Sequence, residues 1–260
     1  MLRAFSTAAT GMDAQQMMVD VIANNLANVN TNGFKRTNVN FQDLLYLKLQ
    51  EAGREVSSGV TAPSGMEVGS GVKTASTTRS FTVGELQSTQ NALDCAIQGD
   101  GFFQVILPNG EYRYTRDGSF QSDSEGRIVN SGGYELSPGF VISQEALSVD
   151  ISLDGTVSID TPSGTQVVGQ IELYRFPNNA GLSAEGQNLF RETEASGTAI
   201  AGIPGEEGYG TILSRYLEKS NVQMVNELVN LITAQRAYEI NSRSIRTGDE
   251  MLRELNQLVR

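Results

Sequence analysis

Several acidic residues in this chain stand where carboxylate chemistry is worth weighing. Asp94 precedes the lone cysteine, Cys95; Asp100 lies between Gly99 and Gly101; Asp117 and Asp154 each precede a glycine. A secreted carboxylate-dependent hydrolase using Asp94, Asp100 or Asp117 needs two such groups converging in a pocket, with environments that push their pKa values apart. The 260 residues contain no histidine, which removes the commonest general base and every imidazole metal site. A single cysteine gives neither an internal disulfide nor a thiolate cluster, so Cys95 reads as a small buried hydrophobe. Gly99-Asp-Gly-Phe102 suggests a phosphate cradle, but its glycines run into a strand rather than a helix N-terminus. The acids around Asp154 lack the alternating ligand spacing of a calcium loop. Turn formation accounts for all of these residues. The expectation is no enzyme, with no catalytic, cofactor-binding or metal site.

The elements that would position any site are clearest at the two ends. Leu231, Ala234, Tyr238, Asn241, Ile245, Gly248, Leu252, Leu255 and Val259 alternate steps of three and four, the seam of a helix that lies along another. An apolar stripe continues upstream through Val222, Val225, Leu228, Val229 and Ile232, and a helix over 217–260 would span about 66 Å. At the other end Phe5, Ala9, Met12, Gln16, Val19, Ala23 and Leu26 follow the same spacing. Pairing the two makes the middle of the chain an insertion between the strands of a discontinuous coiled coil. Asn24, Asn25, Asn28, Asn30 and Asn32 crowd the end of the first helix. Asparagine is a poor interior helix former. It suits a helix packed among copies of itself, because neutral amides bond across an interface without like-charge repulsion. Asn24, Asn25 and Asn28 are therefore the candidate polar contacts between subunits, and Asn32-Gly33 supplies a left-handed turn to end the helix.

Between the ends the reading is β-rich. Phe41–Leu49 reads as a short helix, and 51–71 as a Gly/Ser/Thr-rich stretch that is either a solvent loop or, from its Val56, Val60, Met66, Val68 and Val72, a partly packed extended ribbon. Asn109-Gly110 and Asp154-Gly155 predict hairpins, 170–176 a strand, and 183–216 a loop returning to the C-terminal helix. The expected fold is α+β, with long terminal helices (1–34 and 217–260), a connecting segment (35–95 and 190–216) and an outer antiparallel β domain (96–189). The net charge is −11, and residues 35–216 hold −10 of it, because the ends nearly balance. Such acidity argues against nucleic acid or an anionic membrane as partner. No stretch approaches the ~20 apolar residues of a membrane span. The N-terminus lacks the apolar core of a cleavable signal peptide.

Two segments carry a resemblance. Asp20-Val-Ile-Ala-Asn-Asn-Leu-Ala-Asn-Val-Asn-Thr-Asn-Gly-Phe-Lys35 closely resembles the N-terminal signature of the axial proteins of the bacterial flagellum, the rod subunits and the hook protein. Glu227-Leu-Val-Asn-Leu-Ile-Thr-Ala-Gln-Arg-Ala-Tyr-Glu-Ile-Asn-Ser242 resembles that family's C-terminal signature. Asp43-Leu-Leu-Tyr46, Pro63-Ser-Gly65, Gly99-Asp-Gly-Phe-Phe-Gln-Val105 and Tyr114-Thr-Arg-Asp-Gly-Ser-Phe120 extend the fit through the interior. The resemblance implies a structural subunit of the distal rod of the basal body, with a proximal rod or hook subunit as the alternative. It implies a homopolymer whose terminal helices line a hollow tube, conveying torque outward and letting export substrates through. It implies proximal rod proteins, hook and hook-junction proteins, and P- and L-ring proteins as neighbours. It also implies a rod crossing the periplasm toward the outer membrane, and export by the flagellar type III route without a cleavable signal.

Overall fold

The computed structural model describes residues 2–51, 53–57, 60–61, 63–143 and 146–258, and these fall into two compact units. The first comprises 1–26, 37–78 and 223–260; the second comprises 27–36 and 79–222.

In the first unit, helix α1 (Leu2–Ala27) is rich in alanine and unbranched apolar residues, and α2 (Met224–Leu258) is rich in Leu, Glu and Arg, all favourable in helices. At 35 residues α2 is about 52 Å long. Arg253 and Asp249 form an i,i+4 ion pair at 2.8 Å near its end. Both helices are shorter than the sequence suggests. α1 stops at Ala27, and Thr31 bonds back to Asn28 through backbone N–H (3.2 Å) and hydroxyl (3.1 Å), so the turn starts before Asn32-Gly33. Upstream of α2, residues 216–218 are a strand rather than helix.

The rest of the first unit is ribbon. β1 (Thr37–Asp43) pairs with β6 (Val72–Arg79). Within that loop lie β2 (Leu47–Gln50), β3 (Glu55–Ser57), β4 (Val60–Thr61) and β5 (Met66–Val68), with β2 on β5 and β3 on β4. The expected helix over 41–49 is therefore two strands. Its apolar spacing also fits an extended chain, and the pairing of β2 with residues 16 to 21 positions away decides the matter. Strands β3–β5 give the extended ribbon expected over 51–71, but Met66 and Val68 are exposed rather than packed, and residues 52, 58, 59 and 62 lie outside the described residues.

The second unit holds the hydrophobic core. Its strands are β7 (Leu86–Ser88), β8 (Cys95–Gln98), β9 (Phe103–Ile106), β10 (Tyr112–Thr115), β11 (Gln121–Ser122), β12 (Ile128–Val129), β13 (Glu135–Ser137), β14 (Ser148–Ile151), β15 (Thr156–Thr161), β16 (Gly164–Gln170), β17 (Leu173–Arg175), β18 (Ser183–Gly186), β19 (Leu189–Arg191), β20 (Ile200–Gly202), β21 (Thr211–Ser214) and β22 (Tyr216–Glu218). A seven-stranded sheet runs β11-β12-β13-β9-β10-β19-β18, and β14-β15-β16 form a second. The hairpins at Asn109-Gly110 and Asp154-Gly155 are both present, as β9/β10 and β14/β15. The stretch 183–216 carries five strands instead of a loop, two of them completing the large sheet. Their apolar residues are few and widely spaced, which hides them from a reading by periodicity. Phe103 packs with Cys95, Ile97, Phe120, Val157, Leu173 and Ile212, while its neighbour Phe102 packs with Tyr114, Phe176 and Phe190. Successive side chains point to opposite faces, so both faces are covered. Edge-to-face ring contacts such as Phe103/Phe120, at 5.2 Å between centroids, fix the geometry.

Candidate assembly interface

The site residues expected from sequence lie mostly on α1 and α2, which run antiparallel in the first unit. A Cβ at Gly11 would come 2.9 Å from Asn241 Nδ2, and one at Gly248 would come 2.8 Å from the Phe5 ring. Glycine at these two points lets the helices approach. On α2, Glu227 and Ala234 are buried, and Leu231, Asn241, Ile245, Gly248 and Leu252 are half-buried along one line. Tyr238 stands on that line but is exposed; Leu255 is on the same helix, and Val259 lies outside the described residues. On α1, Phe5, Met12, Val19 and Leu26 are half-buried, whereas the most covered positions are Ala14, Ile22 and Asn25. That line is turned by about one residue from the expected stripe, roughly 100° around the helix.

Away from this packing, α2 presents a second stripe that stands exposed among the described residues. Val225 is 73% exposed, and Leu228, Val229, Ile232 and Ile240 are exposed with it. The upstream apolar stripe read from sequence is this surface, except for Val222, which is buried in the second unit. These residues leave an apolar band on a helix whose other side is already packed.

The asparagines divide. Asn25 is buried, and its amide is satisfied inside the unit: Nδ2 donates to the Thr37 carbonyl at 2.9 Å, and Oδ1 accepts from the Thr37 N–H at 3.0 Å. Asn25 thus fixes where the chain leaves α1. Asn24 is exposed and Asn28 half-buried, at the helix end.

Three family models match in chain order: the flagella basal body rod protein over residues 5–35, the flagellar hook protein FlgE/F/G D1 domain over 96–159, and the flagellar basal body rod FlgEFG protein C-terminal over 213–258. Similar curated proteins include the flagellar basal-body rod protein FlgG of Borreliella burgdorferi, 51% identical over 264 residues with both chains fully covered. FlgG of Caulobacter vibrioides is 49% identical over 99% of each chain, and FlgG of Bacillus subtilis 39% over the whole of both. The chain belongs to the FlgG family of flagellar basal-body rod proteins.

The FlgG-family segments that end at residue 35 and begin at residue 213 meet in a buried charge cluster that sequence reasoning missed. Lys35 and Glu218, both fully buried, pair at 2.5 Å, and Lys35 Nζ also donates to the Thr82 carbonyl at 2.8 Å. Glu218 Oε1 accepts from the Gly84 N–H at 2.8 Å, and its Oε2 lies 3.5 Å from Arg116 Nη1. Arg116 donates to the Gly99 carbonyl at 2.7 Å and lies over the Phe102 ring at 5.4 Å. Burial pulls the pKa values of Lys35 and Arg116 down, with Glu218 opposing the shift in both. The Glu218 carbonyl accepts from the Gly33 N–H at 2.8 Å. Gly33 sits at φ +67° with backbone of Asp117 where a side chain would go, which only glycine allows. Asn221 reinforces the junction by accepting from the Arg36 N–H and donating to the Ser80 carbonyl, both at 2.8 Å. Both limbs of the chain are thus clamped where they enter the second unit. The sequence separation of 183 residues leaves no local signal for this clamp.

Asp94 and Asp117, weighed as catalysts, and Asp154, weighed as a calcium ligand, serve turns. Asp117 Oδ1 accepts from the Ser119 N–H (3.1 Å) and hydroxyl (2.8 Å), and Asp154 accepts from the Thr156 N–H (3.1 Å) and hydroxyl (2.9 Å), which holds the Asp154 carboxyl below its usual range. Asp94 accepts from the Asn91 amide at 2.9 Å. Cys95 is fully buried, and desolvation pushes its thiol up to about 12. Among the described residues no three His, Cys, Asp or Glu gather as a metal site, and no helix is long and apolar enough to cross a membrane.

Proposed function

We propose that this FlgG-family chain is a structural subunit of the distal flagellar rod that polymerises through its terminal helices into a straight, hollow shaft. The observation that carries this reading is the uncovered apolar band on α2, opposite a side already packed on α1. One helix with two contact faces is what a subunit needs to join its own α1 and a neighbour at once. Torque passes along the coaxial helices, and the lumen admits export substrates. Asn24 and Asn28 add polar contacts between copies, and the terminal helices form the tube's coiled coil. The partners in this reading are proximal rod proteins on one side, hook and hook-junction proteins on the other, and P- and L-ring proteins around a shaft that crosses the periplasm.

The ribbon β2–β5 stiffens the shaft. Leu45 is 91% exposed, and Tyr46, Leu47, Leu49 and Met66 are exposed beside it. A ribbon of this composition is stable when a neighbouring copy covers it.

The test is negative-stain microscopy of the purified full chain concentrated to polymerisation, together with basal bodies isolated from a strain lacking it. Straight tubes in vitro and truncated rods in the strain are expected. A chain that stays monomeric at all concentrations, with full rods in the deletion strain, overturns the reading.

A further inference from the structure

Asp13 and Asp20 on α1, and Arg236 and Arg243 on α2, are exposed, and among the described residues none of the four has an ion-pair partner inside the subunit. Their placement is specific. At 100° per residue, Asp13 and Asp20 lie on the side of α1 opposite Gly11 and Ile22. Arg236 and Arg243 continue the uncovered stripe of Val225, Val229 and Ile232 on the side of α2 opposite Ala234, Asn241 and Ile245. Each pair therefore faces away from the helix that its own helix packs on, where a second copy can reach it. The spacings also match: the two acids are seven residues apart, and so are the two arginines, about 10.5 Å in each case.

We infer that α1 of one copy docks antiparallel along the outer face of α2 of the next, with Asp13 against Arg243 and Asp20 against Arg236. This rests on the polymer reading above and names the register of its contact. Two copies side by side in the same orientation meet the requirement without rotation, because α1 and α2 are already antiparallel within each subunit. The internal register, Phe5 at Gly248 and Gly11 at Asn241, sets Arg243 level with residue 9 or 10. Asp13 is three or four residues further on, so a neighbour displaced by about 5 Å along the helices brings both pairs level together. A contact between two different surfaces with such an offset does not close into a flat ring; it propagates as a helix. The same register sets Arg3 level with the turn carrying Glu250 and Glu254, whose own Arg253 is already paired with Asp249. The apolar band lies further toward the start of α2, where this register brings Ile232 and Val229 level with Asn24 and Ala27 at the end of α1.

The experiment measures the critical concentration for polymerisation of the full-length chain by sedimentation, with circular dichroism to show that each variant keeps the second unit folded. R236D/R243D is expected to raise it at least tenfold, equivalent to about 1.4 kcal/mol per subunit. D13R/D20R is expected to do the same. The fourfold variant D13R/D20R/R236D/R243D is expected to return to within threefold of the original chain. Double reversals that leave it unchanged, in a chain that otherwise forms tubes, overturn this register and leave the polymer standing. A chain that forms no tubes at all removes the reading on which it rests. Independently, D20C/R236C oxidised in the polymer is expected to give a ladder of covalent oligomers on a non-reducing gel; a folded, polymerised variant with no ladder overturns the proposal.

Discussion

The two units bury their apolar residues on opposite plans. In the second unit, Ile97, Phe103, Val105, Val157, Leu173 and Ile212 are all wholly inaccessible, and the charges at its entry are paired. In the first, α2 is 35 residues long, yet Ala234 is its one buried hydrophobic residue among those described, while Val225 and Ile240 stand mostly in water. A sheet with both faces covered is stable by itself. A pair of long helices with an open apolar band gains less from packing, because helices in proteins draw most of their stability from covering an amphipathic face. The second unit is therefore a fold, and in the proposed reading the first is an interface whose other half is another subunit.

The hardest way to break that contrast is to unpair the clamp. Glu218→Ala leaves Lys35 and Arg116 charged and buried, which costs about 3–5 kcal/mol. The second unit's unfolding free energy from denaturant titration should fall accordingly, and a value within about 1 kcal/mol of the original would show the cluster to be dispensable. Next in size is Ile245→Asp, which places a charge on the packed side of α2. Losing assembly and motility with the second unit's melting unchanged is expected, at a cost of several kcal/mol per contact. A motile strain carrying Ile245→Asp contradicts the assignment. Deleting Glu51–Gly69 removes most of the ribbon and should leave a chain that polymerises into flexible or curved tubes. Straight tubes from that deletion would reduce the ribbon to a loop. The smallest effect is a readout: Cys95, buried and with its thiol pushed up to about 12, should resist alkylation at pH 8 in Ile245→Asp and label faster in Glu218→Ala.

Legibility followed the same division. α1 and α2 were readable because steps of three and four repeat over many turns, and the Asn109-Gly110 and Asp154-Gly155 hairpins because turn chemistry is local. The side of α1 most covered was less readable, since Ala14 and Asn25 carry no strong apolar signal. The strands over 37–50 and 183–214 owe their state to partners far along the chain, as β2 does to β5 and β8 to β21. The Lys35–Glu218–Arg116 cluster was illegible for the same reason. Each residue looks like an ordinary surface charge until the chain's two limbs meet.

Hydrogen exchange on the full chain, monomeric and polymerised, addresses the contrast most directly. In the monomer, amides of residues 2–26 and 224–258 should exchange orders of magnitude faster than those of Cys95–Gln98, Phe103–Ile106 and Thr211–Ser214. In the polymer, the helices should become as protected as those strands. Helices already protected to the level of the β core in a demonstrably monomeric sample would contradict the account.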